Sequence, residues 1–522
     1  MFRFNVGSGA MRNLLKTNDR RRLELIELLI ESRGWTTSEE IAKQLQCSVR
    51  VLKEDIAFLR QTAAEIDIQS SYEGIRLIIS NDKGIKHFYR KILKESLVFQ
   101  IMELIFFDET LMINDLAEQL HASPSTIYRA INQIHDYFFN NHQSYIETNP
   151  CRFVGNEAYI RNFYRAYFSE THTIIEWPFP HIDEEEVNQK FNRVLSLISK
   201  DVEIDFAYYK TIKLTVIVNL IRYQHGHLIE TADHESNLFK LLFTVFKTFI
   251  VPKGSKRSSN HEINTEYIYQ VYDPYIRTGV AYNKKHFRKL RKKDPNMNNA
   301  LSFLEKFLVD LSQKIDISIN VEDVLFSIVG TNSIEDHDLN SKYILYNRNH
   351  FFVQTLRQSF PHIFQQLYEG IVGYRTRLKK DLDEDKINML IYTLFTYWDN
   401  LLTDLYRKHQ NVSLLVLSDG HYSHAKMIQN LLSFELRSNI TIDVYKGQEL
   451  SLEKLNQSNY DLIVSTFSLA EISDKEVIII NHFPTFNDII AIESCINEII
   501  LRNKDSSPVA RRANSNSIKM EL

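Results

Sequence analysis

Two stretches of the chain repeat one pattern of apolar, small and hydroxyl residues at a constant offset of 75 positions. The first copy comprises Ile41, Ala42, Leu45, Ser48, Leu52, Ile56 and Leu59, and the second comprises Leu116, Ala117, Leu120, Ser123, Ile127, Ile131 and Ile134. This spacing predicts a short helix, a tight turn and a second helix with one apolar face. The Ser at the turn can cap the second helix by accepting a backbone N–H. The pattern is typical of a helix-turn-helix, whose second helix keeps its outer face free for a DNA major groove.

Short alternating strands follow each copy. The ranges 66–70 and 75–80 flank a Tyr-Glu-Gly turn, and the ranges 145–148 and 151–154 repeat the arrangement after the second copy. Such pairs predict two-stranded hairpins, which would form the wing of a winged helix. Before the copies, residues 20–33 and 96–107 have the apolar spacing of helices.

The pattern of apolar residues changes twice in the rest of the chain. Apolar spacing is helical almost throughout 183–400, whereas short strand-like runs alternate with helical spacing after Val412, which indicates a small α/β domain with a largely parallel sheet. The chain is therefore predicted to be mainly α and multidomain. The predicted segments are 1–94 (first winged helix-turn-helix with a lead-in), 95–176 (second helix-turn-helix), 177–290 and 291–408 (two helical bundles), 409–502 (α/β domain) and 503–522 (disordered tail).

Composition narrows the class of protein. Only 14 Gly and 10 Pro among 522 residues favour a helical fold, and the net charge of −4 excludes a histone-like polycation. The three cysteines lie far apart, so we expect neither a disulfide framework nor a zinc site, and a reducing cytoplasm is the simplest location. No apolar run reaches the roughly 18 residues that span a bilayer. We find no phosphate-binding glycine loop, nucleophile elbow or zinc-protease motif, and we expect no enzyme, metal or cofactor.

The candidate DNA-binding residues follow the two capping serines. They are Ser48, Val49, Arg50 and Lys53 in the first copy, and Ser123, Ser125, Thr126, Tyr128 and Arg129 in the second. Arginine can grip a guanine edge with two hydrogen bonds, whereas lysine more often contacts phosphate. Residues 1–94 carry 17 Lys and Arg against 12 Asp and Glu, whereas residues 95–165 carry 4 against 9. The local charge around the first copy is therefore better suited to binding the DNA backbone.

Two further features have competing interpretations. Each helix-turn-helix pattern also fits a small module for protein contacts, although two copies with wings favour DNA binding. The basic run from Lys284 to Lys293 would suit a phosphate-binding surface, but a solvated linker between the two bundles is the preferred interpretation.

The order of these parts resembles the Mga/AtxA group of virulence regulators of Gram-positive bacteria. The resemblance is carried by the paired motifs, by Gly155-Asn156-Glu157 with Ile160-Arg161, and by Trp177-Pro178-Phe179-Pro180. It implies two helix-turn-helix domains, two phosphotransferase-system regulation domains (177–290 and 291–408) and a C-terminal domain similar to the sugar-transporter IIB component. It also implies that the protein is a homodimer that binds promoter DNA and activates transcription. Phosphocarrier proteins of the phosphotransferase system are implied as further partners.

In that group, histidines of the regulation domains can be phosphorylated. The matching positions here fall near Lys210 and Thr393, so the candidate phosphoacceptors are instead His225, His227, His350 and His362. Ser418 stands where a IIB domain carries its phosphorylated Cys, which argues against phosphoryl transfer through a thiol. The expected function is a cytoplasmic, homodimeric DNA-binding regulator that responds to carbohydrate or phosphotransferase status. The alternatives are a degenerate regulator or phosphotransferase-related module that acts through protein contacts, and an RNA-binding antiterminator, which the helical, repeated front disfavours.

Overall fold

The computed structural model describes residues 10–32, 35–62, 66–79, 84–198, 206–230, 265–273, 275, 281, 283–335, 343–409, 412–436, 440–447, 450–469 and 475–505. These residues are mostly helical, as the sequence predicts. They divide into two compact units, one within Met1–Leu311 and Asn320–Tyr397 and the other within Ser312–Ile319 and Trp398–Leu522. The second unit resumes at Trp398, before the predicted boundary at 408, and within it the Trp398 indole donates a 2.9 Å hydrogen bond to the Ser318 carbonyl.

The first winged helix begins with a short 3₁₀ turn, Ala10–Leu14, whose Leu14 is buried. Its five regular elements are α1 (Thr17–Glu31), α2 (Ser38–Gln44), α3 (Val49–Thr62), β1 (Ile66–Ser71) and β2 (Gly74–Ile79). The two strands pair antiparallel, with Ile68 opposite Leu77, and the predicted hairpin is confirmed.

The second winged helix repeats this plan and adds a helix on each side. Its elements are α4 (Ile85–Glu95), α5 (Leu97–Phe107), α6 (Ile113–Gln119), α7 (Pro124–His142), β3 (Tyr145–Thr148), β4 (Cys151–Val154) and α8 (Glu157–Thr171). Helix α7 continues to His142, where Gln143 ends it by adopting a left-handed conformation with φ 53°. Neither α4 nor α8 was predicted as a helix. Residues of α8 are buried on almost every side, which removes the one-sided apolar pattern that marks a surface helix.

The helical segment comprises ten described helices: α9 (Glu184–Ile198), α10 (Phe206–Gln224), α11 (Thr265–Tyr272), α12 (Lys284–Lys293), α13 (Pro295–Ile315), α14 (Val321–Glu335), α15 (Arg348–Ser359), α16 (Pro361–Arg377), α17 (Glu384–Tyr397) and α18 (Leu401–His409). Helix α13 approaches α16 closely because Gly370 and Gly373 leave room for the rings of Phe307 and Phe303.

The basic run from Lys284 to Lys293 forms helix α12 rather than an irregular linker, and most of its side chains are exposed to solvent as expected. Asn283 caps the helix by accepting a 2.7 Å hydrogen bond from the His286 N–H, and Phe287 is buried. Arg288 pairs with Glu322 of α14 at 2.6 Å. Since the capped helix packs on α14, the predicted domain boundary at 290 falls inside a packed element.

The second unit contains a four-stranded parallel sheet in the order β6-β5-β7-β8, which confirms the predicted α/β texture. Its elements are β5 (Val412–Leu417), α19 (Tyr422–Glu435), β6 (Ile440–Val444), α20 (Leu452–Asn456), β7 (Leu462–Ser465), β8 (Glu476–Ile479) and α21 (Phe486–Asp505). Helices α19 and α21 share one core with the sheet, while α20 packs on the opposite face. Helix α21 extends three residues into the predicted tail, and residues 506–522 of that tail lie outside the described residues.

Candidate nucleic-acid interface

The sequence repeat is also a repeat of backbone geometry. At the turn between the two helices of each motif, Gln46 and His121 adopt left-handed conformations with φ of 52° and 47°. The next residue donates back to the small residue of the first helix, from Cys47 N to Ala42 O at 3.0 Å, and from Ala122 N to Ala117 O at 2.9 Å. This common turn fixes the crossing of the two helices in both motifs.

Both recognition helices begin at the predicted caps. Ser48 Oγ accepts a 3.3 Å hydrogen bond from the Val51 N–H, and Ser123 Oγ accepts a 3.2 Å bond from the Thr126 N–H. Pro124 occupies the first turn of α7, where no backbone N–H is needed for the helix ladder. The sequence prediction of two capped helices is therefore confirmed at atomic detail.

The preceding helices differ in their caps. Thr37 and Glu40 form a complete capping box at the start of α2, with Oγ1 accepting from the Glu40 N–H at 3.3 Å. In α6 the corresponding residues are Met112 and Asp115, and Asp115 accepts a 2.8 Å hydrogen bond from the Met112 N–H. A thioether is a weak acceptor, so the second motif keeps only the hydrogen bond from the backbone of the capping residue to the acidic side chain.

Backbone hydrogen bonds hold each wing to its motif, and in the first motif Thr36 N also donates to Ile75 O at 3.0 Å. Ile75 N donates to Thr36 O at 2.8 Å, and Cys151 N donates to Leu111 O at 2.7 Å. Arg60, near the end of α3, binds the first wing directly by donating a 2.9 Å hydrogen bond to Ile68 O. In the first motif the recognition helix and the wing are therefore linked directly by a hydrogen bond.

The outer face of α3 carries the predicted cations. Arg50 is 89% exposed and Lys53 is also exposed, whereas Val49 is half-buried against the core and contributes little to that face. Arg50 Nε lies 3.2 Å from Glu54 Oε1 one turn along the helix. Because this pair is exposed, it holds the guanidinium weakly.

The outer face of α7 is mainly hydroxylic. Ser125 and Tyr128 are exposed, the latter by 50%, while Thr126 is half-buried and shares a 2.8 Å hydrogen bond with the capping Ser123 hydroxyl. Arg129 leans back toward the helix start, with Nη2 3.4 Å from Thr126 Oγ1. Among the described residues it forms no ion pair with a carboxylate, unlike Arg50.

Sequence reasoning missed several residues that shape this interface. Asp55 lies on α3 but is buried, where Arg21 and Arg22 bind its carboxylate at 2.5 and 2.9 Å and cancel its charge. Arg76 of the first wing lies over the Trp35 ring at 4.5 Å, and the wing-tip Tyr72 is 98% exposed. The arginine run at 20–22 and the aromatic at the hairpin tip were the available signals.

A buried ionic cluster joins the second winged helix to the helical segment. Arg222 of α10 is fully buried and donates to Glu157 of α8 at 2.6 Å and to Glu109, between α5 and α6, at 2.8 Å. Arg161 also binds Glu157, at 2.9 Å, so that carboxylate serves two guanidinium groups. Burial raises the pKa of Glu157, and the two arginines overcome this effect, so its pKa lies below the ordinary value.

Two of the candidate phosphoacceptor histidines belong to this junction. His227 Nε2 lies 2.8 Å from Glu109 Oε1, and His225 Nδ1 lies 3.8 Å from the same oxygen. Burial lowers the pKa of His225. His350 of α15 is buried, and its pKa is also lowered by burial, whereas His362 at the start of α16 is exposed. The four histidines are thus spread over different parts of the helical segment.

Ser418 follows β5 directly, as the sequence predicts, at the edge where parallel strands end. Its hydroxyl lies 2.8 Å from His424 Nδ1, and His424 Nε2 lies 2.8 Å from the His482 backbone oxygen. A carbonyl only accepts, so Nε2 carries the hydrogen and Nδ1 accepts from Ser418. The nearby Asp419 carboxylate accepts from Thr466, which lowers its pKa. Its charge opposes an anion at this edge.

Within the described ranges, no helix is long and apolar enough to cross a membrane, and no group of three or more His, Cys, Asp or Glu residues is arranged to hold a metal ion.

Comparison with known proteins gives matches along most of the chain. The M protein trans-acting positive regulator (MGA) HTH domain matches residues 16–75, the Mga helix-turn-helix domain matches 81–168, and the MGA PRD domain matches 184–401. The PRD match treats most of the two predicted helical bundles as a single domain.

Proteins of similar sequence have names that describe regulators. A Streptococcus pneumoniae serotype 4 protein described as a trans-acting regulator is 28% identical over 480 residues, which is 91% of this chain and 97% of the relative. The capsule synthesis positive regulator AcpB of Bacillus anthracis is 21% identical over 90% of this chain and 96% of its own length. AcpA of the same organism is 24% identical over 58% of this chain and 62% of its own length. With two matched helix-turn-helix domains and a matched PRD segment, the chain belongs to the Mga family of transcriptional regulators, which are not enzymes.

Proposed function

We propose that this protein is a cytoplasmic transcriptional activator that binds promoter DNA through both winged helices. The observation that carries the proposal is the pair of capped helices α3 and α7, whose outer faces are free of the core. Exposed Arg50 and Lys53 on α3, and exposed Ser125, Tyr128 and Arg129 on α7, supply donors for bases and phosphates. The names of AcpA and AcpB as positive regulators support activation rather than repression.

The two motifs have different tasks in this proposal. The first carries the surplus of cations and a wing tied to α3 by Arg60, and it supplies most phosphate contacts. The second has hydroxyl groups and a single arginine in acidic surroundings, and it contributes base contacts after the first has docked. Val49 belongs to the core side of α3, so we assign it a packing role rather than a DNA contact.

A binding experiment tests the proposal. Footprinting on genomic fragments would identify an operator, and fluorescence anisotropy would measure its affinity at two salt concentrations. We expect Arg50→Ala and Arg129→Ala to weaken operator binding about 5- to 100-fold, equivalent to roughly 1–3 kcal/mol. The control Arg288→Ala removes an exposed arginine of the helical segment. If no fragment binds above background at low salt, the chain acts through protein contacts instead.

We further propose that the chain works as a homodimer, and that the α/β unit contributes to pairing. Helices α19 and α21 cover the same sheet face, and their outer surfaces expose Phe434 by 85% and Phe486 by 78%. A two-fold dimer would set paired recognition helices about one DNA turn, or a multiple of it, apart.

The helical segment is proposed to couple carbohydrate or phosphotransferase status to DNA binding. It would act as two regulation domains that divide near α12. The buried cluster of Arg222, Glu157 and Glu109 is the physical route, because it binds α10 to the loop before the second motif. Among the four histidines, exposed His362 is the one open to a phosphocarrier protein, and mass spectrometry after incubation with phosphorylated carriers would test it.

A further inference from the structure

A cleft opens between α9, the first half of α10 and the chain at 174–177. Its volume is about 540 Å³, which is within the usual range for small-molecule sites. The lining combines cations, amides and aromatic rings rather than a continuous apolar wall. This combination needs an explanation that the DNA-binding motifs do not supply.

Lys213 fixes the floor of the cleft. Its side chain is 8% exposed, and Nζ lies 3.0 Å from Glu184 Oε1 and 2.7 Å from Asn188 Oδ1. The same ammonium lies 5.0 Å from the Trp177 ring centroid and 5.3 Å from that of Tyr209. Glu184 therefore offsets the charge of Lys213, and the pair mainly holds the two rings and the amide in place.

Within the described ranges Lys210, one turn earlier on α10, forms no ion pair with a carboxylate, although Glu176 and Glu184 attract it. Its ammonium donates to the backbone carbonyls of Thr173 and Glu176, the latter at 3.3 Å. Burial, followed by repulsion from Lys213, lowers its pKa to about 8. Glu176 also lines the cleft, but its carboxylate accepts a 2.5 Å hydrogen bond from the Thr173 N–H. A cation held by neutral carbonyls retains charge for an incoming anion.

Further positive charge approaches from α4. Arg90 acts on both Lys210 and Glu176, and Lys94 acts on Glu176. The Arg90 Nε is buried and has no hydrogen-bond partner in the described part of the chain. Counted with Lys210 and Lys213, the cations near the cleft outnumber the two carboxylates, Glu176 and Glu184.

Polar groups suited to hydroxyls lie beside these charges. The Tyr209 hydroxyl is 3.4 Å from Asn188 Oδ1 and 3.3 Å from Asn192 Oδ1, distances at which these groups can exchange partners for a ligand. The flanks of Trp177 and Tyr209, with Leu214, give apolar surface for C–H groups. Cations, amides and aromatic edges together match a small molecule with an anionic end and several hydroxyl groups.

We propose that this cleft binds a phosphorylated monosaccharide. The phosphate would be bound by Lys210, and the sugar hydroxyls by Asn188, Asn192 and Tyr209. The cleft is formed by the helical segment and by the chain that links it to α8, so occupancy would stiffen the connection to the second winged helix. This inference goes beyond DNA binding and is tested without DNA.

Isothermal titration calorimetry of the full chain with fructose 6-phosphate tests the proposal. Free fructose, inorganic phosphate and AMP are titrated in parallel. We expect the sugar phosphate to bind at least tenfold more tightly than each of the other three. We expect Lys210→Gln to weaken its binding at least tenfold. The matched control is Lys190→Gln, which removes an exposed lysine of α9 that pairs with Glu186 and should leave binding unchanged.

A second variant keeps the test decisive if Lys210→Gln fails to fold. Asn192→Leu alters an exposed amide at the mouth of the cleft and should reduce the preference for sugar phosphate over inorganic phosphate. The proposal is overturned by an absence of binding heat, by equal affinity for inorganic phosphate or AMP, or by unchanged affinity in both cleft variants. None of these outcomes bears on DNA binding, which is measured separately.

Discussion

Arg222 Nη1 donates a 2.8 Å hydrogen bond to Glu109 Oε1 across 113 residues of sequence. The arginine ends a helix of the PRD segment, and the glutamate precedes the first helix of the second DNA-binding motif. The arginine is completely buried and the glutamate side chain is 10% exposed. The ion pair that joins the helical segment to the second motif is therefore largely shielded from water.

Removal of this arginine should be costly. Arg222→Met leaves Glu109 and Glu157 with fewer cationic partners in a buried setting, and breaking such a cluster typically costs about 3–5 kcal/mol. Urea unfolding followed by hydrogen exchange in α8 and α10 would measure the loss. Arg288→Met is the matched control, since its pair with Glu322 is exposed and should contribute little to stability. Equal effects of the two substitutions would contradict the assignment of the cluster as the main link.

Breaking the pair of Arg50 and Glu54 should strengthen DNA binding. Glu54→Gln removes a negative charge from the outer face of α3 and releases Arg50 from a 3.2 Å contact. We expect operator affinity to rise about 2- to 5-fold at low salt, because exposed helix pairs are worth only a few tenths of a kcal/mol and phosphate repulsion is removed. Anisotropy titrations would measure the change. The control Glu186→Gln breaks a similar exposed pair on α9 and should have no effect, and a weaker complex for Glu54→Gln would contradict the prediction.

Lys53 should contribute through phosphate rather than through bases. It is exposed on α3 and follows Arg50 by three residues, so both face the same side of the helix. Lys53→Ala should lower affinity for operator and for unrelated DNA alike, and should reduce the slope of log affinity against log salt by about one. A loss confined to the operator would instead assign Lys53 to base recognition.

Much of the DNA-binding part was predictable because its determinants are local. The turn, the caps at Ser48 and Ser123 and the wings depend on residues within a few positions of one another. Helix α8 was missed because its residues are buried by partners distant in sequence, such as Gln270 and Arg222, and no one-sided pattern survives. The basic run of α12 was not predicted as a helix because a charged sequence hides the single buried Phe287.

The candidate site was predicted less completely than the fold. Exposure of Arg50 and Arg129 follows from helix periodicity, but the pairing of Arg50 with Glu54 and the half-buried state of Val49 depend on side-chain packing. The cleft beside Lys210 brings together the chain at 174–177 and two helices that follow it. No sequence motif marks such a convergence, although the Trp-Pro-Phe-Pro segment marks its edge.

Dimer formation can be tested on the α/β unit. Phe434 is 85% exposed on α19, and Phe434→Glu should shift the chain toward monomer in sedimentation velocity runs at micromolar concentration. A charge in the centre of an apolar interface removes burial and adds desolvation cost. Leu382→Glu, at a loop position of the first unit that is 53% exposed, is the control. An unchanged sedimentation coefficient for Phe434→Glu would show that pairing uses another surface.

Glu170 of α8 should make stability depend on pH. Its carboxyl accepts backbone hydrogen bonds from Ile344, from Leu345 at 3.0 Å and from Tyr346 at 3.2 Å. Burial nevertheless raises its pKa from 4.5 to about 7, against the opposing effects of those bonds and of Arg12. The folded state therefore binds the proton more tightly than the unfolded chain. Its stabilising contribution is complete below pH 4.5 and is lost as pH rises through 7.

The size of this effect follows from the shift. A rise in the pKa from 4.5 to about 7 corresponds to roughly 3 kcal/mol. Glu170→Gln cannot titrate, so the difference in unfolding free energy between wild type and variant should change by that amount between pH 4.5 and 8. Urea titrations at both pH values would measure it. A difference that stays constant with pH would mean that Glu170 is ionised throughout, and that its three N–H donors outweigh burial.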